Sequence, residues 1–406
     1  MLIRNVRPWG GEASDIELQD GRIAAVLPHD PARAATGESV DGRGRLALPT
    51  FSDVHCHLDS NRVGLPFRPH TGKPGVWGMT MNDREHWRED GPVADRTTRL
   101  LGRMIERGTT RVRSYAQIDA DCGLERFEGV LAAKEAHKDR AEVEIIAFPQ
   151  AGLLLEKGVP ELMDQALASG AAVVGGIDPC TLDRDPVRHL DIVFDLAERH
   201  QAPVDIHLHE PGHLGVFSTD LILERTRALG MQGKVTLSHA YELGTVDEAT
   251  TRRLIEEFAE LDISMATIAP AQQLTALPLV DLTKAGVRVG LGEDGQRDFW
   301  SPYGNGDMLD RTWQLAFTSR FRADELIEHA WAVASRGGHA ILDPSQQRLT
   351  STADRPGVDV GDAADLILVE GDTVAAAVMD RGSDRTVLRA GRVVADQLRL
   401  VWPRVP

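Results

Sequence analysis

His55 and His57 form a His-x-His pair at the end of the run LALPTFSDVHCH. On a β-strand, residues i and i+2 share a face, so the two imidazoles converge while Cys56 points the other way. Three further apolar runs end in comparable groups: VDIHLHE in His207, His209 and Glu210, VTLSHA in His239, and VRVGLGED in Glu293 and Asp294. EVEIIAFPQ brings Gln150 to the end of another. Each has a plain structural reading on its own. His239 could be a satisfied core histidine, Asp294 a helix cap, and Gln150 a loop hydrogen-bonder. Together they are harder to dismiss, because four of the chain's 14 histidines end apolar strands on what would be one rim. Three imidazoles and a carboxylate make a ligand set suited to zinc or ferrous iron.

The elements that must position these groups alternate along residues 46–340. Runs rich in β-branched residues (TTRVRSYAQ, EVEIIAF, AAVVGGI, PVDIHLH, KVTLSHA, DISMAT, VRVGLGED) alternate with stretches of helical period such as RTTRLLGRMIERG and DEATTRRLIEEFAEL. That is the pattern of repeated βα units, and about eight strands over this length predict an α/β fold of the (β/α)8 barrel type. Barrel enzymes place their sites at the C-terminal ends of the strands, where the polar groups fall. Both ends of the chain read instead as short antiparallel strands with tight turns, each half too small to bury a core alone. A β-sandwich domain built from 1–49 and 345–406 is therefore expected, with the barrel at 50–344. Residues 60–90, rich in Gly and Pro, follow the first strand directly, and Phe67, Trp77 and Met79 point to a folded lid.

Composition narrows the function. The 406 residues carry a formal charge of −17 with no basic stripe, which argues against nucleic acid and anionic membrane surfaces as partners. Three cysteines, an odd set without a C-x-x-C, argue against a disulfide framework and fit a reducing cytosol. No apolar run reaches about 18 residues, and the N-terminus lacks a signal-type core, so a cytoplasmic location is expected.

The ordered set L-P-x-F-x-D-x-H-x-H, HCHLDS, GTTRVRSY, IIAFPQAGLL, VVGGIDP, VDIHLHE and GEDGQRDFWSPYGNGDML resembles the amidohydrolase superfamily, and within it the cytosine deaminase branch. The resemblance implies that His55, His57, His207 and Asp294 hold one divalent metal, zinc or iron with manganese as a further option. It also implies Glu210 as proton shuttle, His239 beside the attacking water, Gln150 on the amide-like edge of a ring and Trp300 in the pocket wall. No Lys ends strand four, which disfavours a two-metal site. Two departures stand out. Gly295 occupies the place where cytosine deaminases commonly carry a second Asp, and His209 precedes the shuttle Glu. Either strand five continues to His209 as a second His-x-His, or it ends earlier and His209 turns to the lid as a substrate contact or loop residue, the reading the resemblance favours.

Such a metal lowers the pKa of a bound water from ~15.7 towards ~7. The expected function is thus hydrolytic deamination of a small nitrogen heterocycle, such as cytosine or a substituted pyrimidine. Asp294 accepts the water's proton, Glu210 protonates the ring and His239 stabilises developing charge. Hydrolysis of a cyclic amide or an N-alkylated amino-triazine uses nearly the same chemistry. A non-catalytic barrel scaffold is the remaining alternative, although it would have no use for this ligand set. A small-molecule heterocycle is the expected partner and a homo-oligomer the expected assembly.

Overall fold

In the computed structural model, residues 1–33, 37–271 and 276–401 are described. Eight parallel strands form one sheet: β1 (Phe51–Cys56), β2 (Thr109–Gln117), β3 (Glu142–Phe148), β4 (Val173–Ile177), β5 (Val204–His207), β6 (Val235–Ser238), β7 (Ser264–Thr267) and β8 (Arg288–Leu291). Each pairs with its sequence neighbour in order. The ring closes just past the strand ends. Asp294 N donates to His55 O at 2.8 Å, His57 N donates to Asp294 O at 3.4 Å, and Cys56 bridges to Asp294. Gly292 permits this closure, since a Cβ there would lie 2.4 Å from His55 Cβ and 2.5 Å from its carbonyl oxygen.

Helices return the chain between strands, and their sequences say why. Val93–Glu106 buries Leu100, Leu101, Met104 and Ile105 on one stripe. Pro186–His200 starts at a proline, with Asp185 accepting from Arg188 N as its N-cap, and Asp247 caps Glu248–Glu260 in the same way. None of the helices among the described residues is long and apolar enough to cross a membrane.

The chain ends join in a second, nine-stranded sheet, where Leu46–Pro49 pairs antiparallel with Leu366–Val369. Ile3, Val6, Ile16 and Leu18 from the first strands pack with Leu366, Leu368 and Leu388 from the last. The run LALPTFSDVHCH, read as one strand, therefore serves two sheets. Pro49 supplies no N–H to continue a ladder, Thr50 N turns to Asp365 O at 3.1 Å, and Phe51 begins the barrel.

The segment after β1 differs from the reading of its apolar residues. It contains a helix, Val76–His86, whose buried residues are Thr80, Asn82 and Asp83. Asn82 donates to Phe299 O at 3.0 Å, and Asp83 pairs with the buried Arg126. Phe67 and Trp77 are exposed, so polar contacts hold the segment in place, and an apolar stripe could not have announced the helix.

Asp365 ties the two sheets together. It accepts from Arg111 of β2, from Arg389 of the terminal sheet and, at 2.7 Å, from Ala390 N. Asp365→Asn leaves two guanidiniums facing a neutral group in a buried site. It should lower the unfolding free energy by about 3 kcal/mol, read as a lower urea midpoint at unchanged slope. An unchanged midpoint would show that the pairing contributes nothing.

Candidate active site

Alternate residues of the barrel strands point inward, and here the inward residues are polar in layers. Asp53 and His55 rise along β1, Arg113 and Tyr115 along β2, Asp205 and His207 along β5, Thr236 and Ser238 along β6. In the lower layer, Arg113 donates to Glu144 at 2.5 Å, to Asp205 at 3.3 Å and to Thr236 at 3.2 Å. Asp205 Oδ1 in turn accepts from Tyr115 at 2.8 Å and from Ser238 at 2.7 Å.

This network fixes one histidine's tautomer. His55 Nδ1 lies 2.9 Å from Ser238 Oγ and 3.0 Å from Tyr115 Oη. Both hydroxyl protons go to Asp205, so the hydroxyl oxygens accept the Nδ1 proton and Nε2 keeps its lone pair. That lone pair faces the upper layer, where the remaining expected ligands gather. Asp294 Oδ1 lies 3.5 Å from His55 Nε2 and 3.3 Å from His57 Nε2, and His207 Nε2 lies 3.3 Å from His57 Nε2. His239 joins from β6, its ring centroid 4.6 Å from that of His55 and 5.0 Å from that of His207.

Among the described residues, two overlapping groups could hold an ion, His55–His207–His239 and His55–His57–Asp294, each with one donor atom per residue within 4.8 Å of the others. Buried His55 Nε2, His207 Nδ1 and both ring nitrogens of His239 have no hydrogen-bond partner among the described residues. Orphaned donors or acceptors of this kind are rare in folded proteins. Burial holds His55 below the usual imidazole range and, with the neighbouring histidines, holds His207 and His239 well below it. Burial would lower His57 too, but Asp294 more than offsets it. Asp294 itself sits well below the carboxylate range, because its bonds to His55 and His57 outweigh burial. Neutral His55, His207 and His239 beside an ionised Asp294 suit a divalent cation, and His57, held toward its charged form by Asp294, gives up its proton on binding one. The backbone is left-handed at His239 (φ 71°), Asp294 (59°) and Asp178 (36°), conformations that cost energy and cluster where function demands them.

Above this floor opens a cavity of about 900 Å³. Gln150, Trp300 and His209 all line it, with His57, His207, Asp294, Tyr241 and Met79. β5 ends at His207, and His209 turns aside: its N and Nδ1 donate to Asp178 at 2.7 and 2.8 Å. It belongs to neither ion-capable group among the described residues and faces the cavity.

Glu210 is placed differently from the other expected site residues. Its carboxylate accepts from Cys180 N at 2.9 Å, Thr181 N at 2.6 Å and Ser218 at 2.5 Å, and it does not line the cavity. Burial raises its pKa. Asp298 was not singled out by the sequence, yet its carboxylate lines the cavity and is pushed up to about 7 by burial and then by Asp294. A cation on the histidines would draw it back toward the ionised form. Tyr115, Asp205 and Ser238 were also missed as site residues. Their signal is the alternation of polar residues within apolar strands, as in R-V-R-S-Y and D-I-H.

Comparison with known proteins agrees with this fold. The model described as amidohydrolase family matches residues 92–395. The solved N-isopropylammelide isopropylaminohydrolase of Burkholderia multivorans is 37% identical, with a TM-score of 0.88 over 98% of this chain and 99% of that one. The 5-methylcytosine deaminase of Klebsiella pneumoniae, solved with phosphonocytosine, is 26% identical with a TM-score of 0.81 over 100% of both chains. The Escherichia coli K12 protein named "Uncharacterized protein YahJ" is 36% identical over 300 residues, which span 73% of this chain and 65% of that protein.

Removing one hydroxyl from His55 Nδ1 tests the tautomer argument. Tyr115→Phe should weaken zinc binding about tenfold in chelator competition, with the fold intact. Unchanged affinity would show that the network does not orient the ligand.

Proposed function

The chain belongs to the amidohydrolase family, and from that premise we propose that it hydrolytically removes an amino or alkylamino group from a carbon of a small nitrogen heterocycle. The observation that carries this reading is the set of unpartnered imidazole nitrogens converging with Asp294 on the floor of a cavity walled by an amide and an indole. His55, His57, His207 and Asp294 would hold one divalent ion, zinc or iron by the chemistry of the set, with manganese admissible. When bound, the ion supplies a water acidic enough to ionise near neutral pH.

The chain's own groups do the rest. Asp294, ionised and partly open to the cavity, takes the water's proton. His239, with neither ring nitrogen partnered among the described residues, is placed to stabilise charge on the attacking oxygen. Gln150 offers a donor and an acceptor to a lactam-like edge, while Trp300 and His209 flank the ring. Glu210, whose raised pKa favours carrying a proton, reaches the ring nitrogen by rotating out of its bed beside Cys180 and Thr181. As the carbonyl forms, the emptied Glu210 carboxylate takes the proton left on the attacking oxygen and hands it to the departing amine, and the proton held by Asp294 restores the acid.

Two observations favour an alkylamino ring over a bare pyrimidine. The cavity, at about 900 Å³, lies toward the upper end for small-molecule sites, which run from about 300 to 1,000 Å³. The relative at 37% identity is named for removal of an isopropylamino group.

The zinc-loaded protein should release ammonia or an alkylamine from at least one member of a panel of pyrimidines, pterins and triazines. Glu210→Gln should cut that turnover by about 10²–10⁴ while retaining metal. Near-normal turnover in the variant would remove Glu210 from the mechanism, and a silent panel would remove the reaction class.

A further inference from the structure

The side chain that residue 295 lacks has a replacement. A Cβ on Gly295 would lie 2.0 Å from Asp298 Oδ2 and 2.8 Å from its Cγ, so the Asp298 carboxylate stands where the side chain at 295 would project. The backbone at Gly295 is outside the left-handed region. Space, rather than conformation, is what calls for glycine there.

Asp298 is held firmly. Oδ1 accepts from Trp300 N at 2.8 Å and Ser301 N at 2.9 Å, and Oδ2 accepts from Ser60 Oγ at 3.3 Å. A carboxylate has about four acceptor sites. Oδ1 is thus filled, whereas Oδ2 keeps one position open. The residue is nine-tenths buried and lines the cavity with Asp294 and His57.

We infer that Asp298 is the specificity-determining carboxylate of this site: its Oδ2 accepts an N–H of the exocyclic amino or alkylamino group, and so separates the amine-bearing ring from its carbonyl-bearing product. The inference rests on the reaction class proposed above. Once water replaces the amine, a carbonyl oxygen occupies that position, and two acceptors face each other with no proton between them. A buried, anchored acceptor enforces this preference because it cannot swing away. The product is then the weaker ligand, which aids its release.

The test compares affinities within two pairs, N-isopropylammelide with cyanuric acid and cytosine with uracil, on the zinc-loaded protein. For any ring that turns over, the Michaelis constant is set against the product's inhibition constant. Where neither member reacts, both dissociation constants come from calorimetry. The amine-bearing member of at least one pair should bind about tenfold tighter than its product. Asp298→Asn keeps the acceptor at Oδ1 but can turn an amide donor to the carbonyl, and should bring the ratio to within about twofold. Gly295→Ala leaves Asp298 in the chain but evicts its carboxylate, and should do the same. An unchanged ratio in both variants, or no amine preference in the wild type, overturns the inference. Absence of amine release with the preference intact would instead defeat the proposed reaction and leave Asp298 as an amine-recognition group.

Discussion

The backbone bond from Asp294 N to His55 O, 2.8 Å long, closes the barrel and sets two of its chemical groups side by side. Because the ring of strands meets itself at that point, the residues at the end of β8 and the end of β1 have no freedom to drift apart. Gly292 makes the approach possible, and the left-handed turn at Asp294 aims its carboxylate back over the two histidines. Asp53 reinforces the seam by accepting from both His55 N and Glu293 N. The seam therefore belongs equally to the fold and to the site.

What lies beneath the site is as telling as the site itself. A barrel interior is ordinarily packed with branched apolar side chains, whereas this one carries an Arg113–Asp205–Tyr115–Ser238 network in the layer below the histidines. Such a network is costly unless every member is satisfied. It is satisfied in one direction only, with protons passing from His55 to the hydroxyls and from them to Asp205. The price is offset by an imidazole whose lone pair is held ready for a cation.

Much of this was legible in the sequence. The alternation of apolar strands with helical stretches specified the parallel sheet, and the strand-end histidines and Asp294 meet as their spacing suggested. Other features were not legible, for physical reasons. The Val76–His86 helix is anchored by Asn82 and Asp83, so it leaves no apolar stripe. Thr50 divides a continuous apolar run between two sheets because partners from the far end of the chain compete for its backbone. Asp298 was not singled out, because only the folded turn shows its carboxylate filling the place of a side chain at Gly295, three residues earlier. The family resemblance implied Glu210, but its hydrogen bonds depend on Cys180, Thr181 and Ser218, which lie on other elements.

The central claim is that three imidazoles and one carboxylate, drawn from β1, β5 and β8, make a single cation site. X-ray absorption spectroscopy at the metal edge of the zinc-loaded protein tests it most directly. The account predicts one ion per chain with only nitrogen and oxygen neighbours at ~2.0–2.2 Å and multiple-scattering features from three imidazoles. A sulfur neighbour at ~2.3 Å, or a fully folded chain that takes up no ion, would contradict it.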